Sequence, residues 1–75
     1  MPRQKTSRAP ERGHRIAQAR KRAGLTQQEL AEKVDVNRVS IARVEAGTRA
    51  PSMALALRIA EALDESLSML FGGER

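Results

Sequence analysis

The stretch Thr26-Gln27-Gln28-Glu29-Leu30-Ala31-Glu32-Lys33-Val34-Asp35-Val36-Asn37-Arg38-Val39-Ser40-Ile41-Ala42-Arg43-Val44-Glu45-Ala46-Gly47 decides the fold. Thr26 followed three residues later by Glu29 is a capping box, which starts a helix at Gln27. Leu30, Ala31 and Val34 fall on one face of that helix. Asp35-Val36-Asn37 interrupts the pattern. Asp tolerates the left-handed backbone of a turn, and Asn37 is a strong N-cap for a second helix. That helix begins at Arg38 and stops at Gly47, the residue type favoured just past a helix end. Two short helices joined by a tight turn make a helix-turn-helix.

The faces of the second helix say what it is for. At about 100° per residue, Ile41 and Val44 lie together, with Asn37 and Ser40 at the margin. The opposite arc holds Arg38, Val39, Ala42, Arg43 and Ala46, with no acid among them. A plain solvated face usually mixes Glu with Lys. Arginine is the side chain best shaped to fork onto guanine in a DNA major groove. The arc therefore reads as a DNA-reading surface: Arg38 on a base, Val39 on a thymine methyl, Arg43 on a base or a groove-edge phosphate.

The totals agree. Seventy-five residues make one small domain with a modest core. The chain has no cysteine and one histidine, which excludes disulfides and leaves no plausible zinc ligand set. A single aromatic, Phe71, argues against base-stacking platforms. No apolar run reaches membrane-spanning length, and the first residues are polar and basic rather than a signal peptide. The expectation is a soluble, cytoplasmic protein, nucleoid-associated when on DNA, with no membrane partner. The net charge of +5 is uneven. Residues 1–49 hold twelve Lys/Arg against five Asp/Glu, and residues 50–75 hold two against four. One side is thus suited to a polyanion. No acid–base pair or nucleophile–His set is supported, so the chain reads as neither an enzyme nor a cofactor or metal carrier.

Outward from the motif, residues 1–9 read as a flexible basic arm carrying Arg3, Lys5 and Arg8. The alternatives for it are a passive tail and a strap on phosphates or in a minor groove. Residues 10–71 read as the domain, and residues 72–75 as a frayed end. A first helix is expected from near Pro10 to before Gly24, with Ile16, Ala19, Arg20 and Ala23 on one face. Gly13 within it costs roughly 1 kcal/mol relative to Ala. His14 reads as a surface residue. Leu25, just ahead of the cap, is expected in the core. The loop at 48–52 supplies Thr48 and Arg49 as phosphate contacts, and Ser52 caps a fourth helix from Met53 to about Leu63. Its apolar arc of about 200° exceeds the roughly 100° stripe that one core needs. Burial at the centre of the fold or a dimer interface would absorb the excess at Leu55 and Ile59. Ser66 is expected to cap a short helix bearing Leu67, Met69, Leu70 and Phe71.

Residues 16–71 resemble the Cro/lambda-repressor-like (XRE-type) helix-turn-helix family. The resemblance is carried by Leu25-Thr26-Gln27-Gln28-Glu29-Leu30-Ala31, by Ser40-Ile41 with Glu45 and Gly47, by Pro51-Ser52, by Ile59-Ala60 with Leu63, and by Ser66-Leu67 with Leu70-Phe71. It implies an all-α, compact five-helix domain with helix 3 as recognition helix. It implies dimeric binding to a partly palindromic operator in double-stranded DNA. It places Gln27 and Asn37 on phosphates and Arg38, Val39 and Arg43 at base-facing positions. It matches Arg20 and Glu45 to a pair tying helix 1 to helix 3. Asp35 and Asp64 depart from it where Gly is common. The expected activity is transcriptional regulation by occupying an operator and blocking or recruiting polymerase, with repression the favoured reading. The expected dimer surface is Leu55, Ile59, Leu67, Leu70 and Phe71. The alternative is an antitoxin or adaptor that uses helices 4 and 5 to hold a different protein.

Overall fold

A computed structural model describes residues 8–72, with side-chain surroundings over residues 13–71. Four α-helices, α1 (Arg8–Arg22), α2 (Gln27–Lys33), α3 (Arg38–Ala46) and α4 (Met53–Leu63), are followed by a π-helical turn, Ser68–Gly72. The described residues contain no strand. No helix among them is long and apolar enough to cross a membrane.

Local chemistry sets the helix ends. The Thr26 hydroxyl accepts from the Glu29 N–H at 3.0 Å, and the Glu29 carboxylate accepts from the Thr26 N–H at 2.8 Å. The Asn37 side chain accepts from the Ser40 N–H at 2.9 Å, and Ser52 accepts from the Leu55 N–H at 3.1 Å. Such caps contribute about 0.5–2 kcal/mol each by satisfying amides that the helix cannot. Gly47 closes α3 at φ 80°, in the left-handed region. Asp35 (φ 62°) and Asp64 (φ 56°) take left-handed backbone in the turns after α2 and α4. A short polar side chain tolerates that geometry better than any branched one.

Helix α1 begins at Arg8, two residues ahead of the expected start at Pro10. Proline fits there because amides of the first turn have no intrahelical acceptor to lose. The helix thus takes Arg8 and Ala9 from the expected arm. Arg3 and Lys5 lie outside the described residues, and only the backbone of Arg8 is described.

The core gathers Ile16 and Ala19 of α1, Leu30 and Ala31 of α2 with Val34 at its C-terminal end, Ile41 and Val44 of α3, four side chains of α4 (Leu55, Ile59, Ala60, Leu63), and Leu70. Leu25 is half-buried against it, and Ala23 is exposed rather than sharing the buried face of α1. Gly13 is buried where α1 crosses α3. A Cβ built there would lie within the Glu45 carbonyl and 2.6 Å from that of Val44, so only glycine permits this approach.

The expected dimer surface needs correction. Leu55 (8% exposed), Ile59 (0%) and Leu70 (2%) are core residues of the single chain. The wide apolar arc of α4 is used within the single chain, where Leu55, Ile59, Ala60 and Leu63 all join the core. Leu67 and Phe71 are half-buried against the same core. Phe71 lines a cavity of about 80 Å³ together with Gly13, Ile16, Val44 and Pro51. On α4 and the turn after it, the outward large apolar side chains among the described residues are instead Met53, Leu57 and Met69.

Candidate nucleic-acid interface

Helix α3 is anchored by Ile41 and Val44, both buried. That anchoring dictates what the other side shows. Arg38, Val39 and Arg43 are exposed, Ala46 is exposed, and Ala42 is half-buried. Val39 is 46% exposed, a large apolar side chain that the fold leaves to solvent. The small Ala42 and Ala46 leave the helix axis free to approach a surface laid against this arc.

Polar side chains around the arc are tied to one another. Arg20 forks onto Glu45: its Nε donates to Oε2 at 2.7 Å and its Nη2 donates to Oε1 at 3.1 Å. The Arg20 Nη1 donates to the Leu25 carbonyl at 2.7 Å. Side-chain exposure of the two partners is 10% and 7%, so this bidentate pair joins α1 to α3 almost out of water. The three bonds compensate a charge that would otherwise be costly in an apolar stripe. Gln27, at the start of α2, donates from Nε2 to Glu45 Oε1 at 2.9 Å. Its Oε1 accepts from Arg38 Nη1 at 3.4 Å.

The loop after α3 is organised the same way. The Thr48 hydroxyl and N–H both donate to the Arg43 carbonyl, at 3.2 and 3.0 Å. Arg49 Nη1 donates to the Ser40 hydroxyl at 3.3 Å, which draws its guanidinium toward the first turn of α3. Among the described residues the Arg43 guanidinium donates no hydrogen bond. Asn37 uses its amide oxygen as the cap, which leaves its amide hydrogens free to donate.

Arg38, Val39, Arg43, Gln27, Asn37, Thr48 and Arg49 thus lie on or beside one surface built from the α2 start, α3 and the loop after it. Leu55, Ile59 and Leu70 are turned away from any surface. Two participants were not singled out from sequence as site residues. Ser40 was placed only at the margin of the α3 wheel, and its first-turn hydroxyl is the one signal for a bond to Arg49. Gly13, read as a weakness of α1, is a packing requirement beneath α3.

A family model described as helix-turn-helix matches residues 16–70. An uncharacterised HTH-type transcriptional regulator of Methanothermobacter thermautotrophicus is 54% identical over 48 residues, 64% of this chain and 70% of its own length. Another, from Archaeoglobus fulgidus, is 42% identical over 76% of this chain and 81% of its own. The uncharacterised HTH-type regulator YgzD of Bacillus subtilis is 34% identical over 77% and 88%. Among solved structures, the restriction-modification controller protein C.AhdI from Aeromonas hydrophila superposes with a TM-score of 0.79 at 33% identity, covering 84% of this chain and 91% of that one. The chain belongs to the Cro/lambda-repressor-like, XRE-type helix-turn-helix family of DNA-binding regulators.

Proposed function

We propose that this protein is a transcriptional repressor that binds a partly palindromic operator as a homodimer. The observation that carries the reading is the exposed arc of α3. Arg38, Val39 and Arg43 stand out from small neighbours on the side opposite the buried Ile41 and Val44. Arg38 lies in the first turn, the part of a recognition helix that enters the groove nearest the bases. It reads a base, with guanine the best match, and Val39 adds contact to a thymine methyl. Arg43 reaches a base or a groove-edge phosphate. Gln27, Asn37, Thr48 and Arg49 grip phosphates and set the register. An operator that overlaps a promoter would, when occupied, exclude polymerase, and repression rests on that placement.

The dimer forms through the C-terminal side of the fold. Leu57 of α4 is 44% exposed and Met69 is 58% exposed. Leu57 and Leu67 flank a groove whose rim carries Glu61, Asp64 and Glu65. Of the residues that sequence pattern suggests for the dimer, this surface keeps Leu67 and replaces the buried Leu55, Ile59 and Leu70.

Selection of bound sites from random duplex DNA tests the proposal. The expected result is a palindromic consensus whose half-sites are one helical turn, about 34 Å, apart. Arg38→Ala is expected to weaken the selected site by about 1–3 kcal/mol and to relax preference at one position per half-site. Equal weakening on every sequence, with preference intact, would make Arg38 a phosphate clamp. Light scattering that finds a monomer with operator binding intact would turn the Leu57 groove over to the antitoxin or adaptor reading.

A further inference from the structure

The hydrogen bonds around Gln27 follow an order that donor and acceptor chemistry imposes. The Glu45 carboxylate can only accept, and the Arg38 guanidinium can only donate. An amide placed between them has one satisfactory orientation, with its NH₂ toward Glu45 and its carbonyl toward Arg38. The contacts take that form, at 2.9 Å from Gln27 Nε2 to Glu45 and at 3.4 Å from Arg38 to Gln27 Oε1. Glu45 is itself immobilised by the bidentate grip of Arg20, at 7% side-chain exposure. A line of bonds therefore runs from α1, through the last turn of α3, to the first side chain of α3.

We propose that Glu45 is a positioning residue for base reading: it sets the Gln27 amide so that the carbonyl oxygen holds Arg38 in place before DNA arrives. This rests on the assignment of Arg38 to a base. A long side chain that is already oriented loses less rotamer freedom on docking. The second amide hydrogen of Gln27 remains for a phosphate, so one side chain registers the backbone and the base reader together. A Glu45 that only stapled α1 to α3 would affect all DNA sequences alike.

The test uses the full chain at a temperature where circular dichroism shows each variant folded. Two variants break the line at different points. Arg20→Met combined with Glu45→Met removes the ion pair as a unit and leaves no lone buried charge. Gln27→Ala acts at a half-buried surface position and keeps the experiment decisive if the double variant does not fold. Leu63→Ala, remote from the line, controls for loss of stability alone. In the free protein, ¹⁵N relaxation of Arg38 Nε is expected to show faster motion in both line-breaking variants and no change in Leu63→Ala. On DNA, the affinity ratio between the selected site and one substituted at the Arg38 base pair is expected to fall by about three- to tenfold. Ratios at other positions stay fixed, and combining the two variants adds nothing further. Unchanged relaxation and an unchanged ratio in both variants, while Arg38→Ala abolishes the preference, overturns the positioning role and leaves base reading standing. An unchanged preference in Arg38→Ala overturns base reading, and the positioning role with it.

Discussion

Gly13→Ala separates helix propensity from packing because the two predict opposite signs. In an exposed helix interior the change favours folding by about 1 kcal/mol. Here the added methyl would lie within the Glu45 carbonyl and 2.6 Å from the Val44 carbonyl oxygen. Both obstacles are backbone in the last turn of α3, held by Ile41 and Val44 in the core and by the Gly47 cap. They cannot swing aside as a side-chain tip would. Ordinary contact needs more than 3 Å, so α1 must withdraw from α3 along the line that also carries the Arg20–Glu45 pair. Overpacking of this kind costs about 1–3 kcal/mol and more where backbone must move. After the propensity gain, a net loss of about 2 kcal/mol is expected, or a drop of roughly 10 °C in Tm for a domain of this size. Urea unfolding followed by circular dichroism, with a matched Ala17→Gly control on the same helix, measures it. Gly13→Ala as stable as the parent, or more so, would refute the close approach and the reading of Gly13 as a packing requirement.

Other predictions follow from the interface and its supports. Removing Arg20 or Glu45 singly is expected to cost about 3–5 kcal/mol, because each strands a nearly buried partner; a double-mutant cycle in urea checks it, and zero coupling energy would mean the two act independently. Arg49→Ala is expected to weaken binding to all sequences alike and to lower the salt slope of log Kd by about one; titrations at several salt concentrations read this, and a change in base preference would contradict it. Leu57→Lys is expected to give monomers in size-exclusion light scattering with Tm nearly unchanged, since Leu57 is half in water already. Persistent dimers would move the interface elsewhere.

Much of the recognition unit is legible in the chain because its signals are local. Thr26 with Glu29, Asn37, Gly47 and Ser52 mark helix ends through bonds to backbone within a few residues; α2 and α3 run between those marks and α4 starts after the last of them. The alternation of Ile41 and Val44 with Arg38, Val39 and Arg43 assigns an inner and an outer face to α3 by helical period alone. Periodicity does not say how many neighbours a helix has. The apolar arc of α4 was compatible with a buried centre or with a dimer, and only packing showed that Leu55, Ile59 and Leu70 are consumed inside one chain. Distance in sequence hid the rest. Gly13 and Glu45 are brought together by the crossing of α1 and α3, and the sign of Gly13→Ala depends on that crossing. Arg20 and Glu45 are natural partners by charge, but the addition of Gln27 and then Arg38 to the same line of bonds needs α2 and α3 in register. The chain by itself determines where helices begin, where they end and which side faces in. The tertiary structure decides which polar side chains on those helices meet, because that depends on a rigid-body crossing that no local signal encodes.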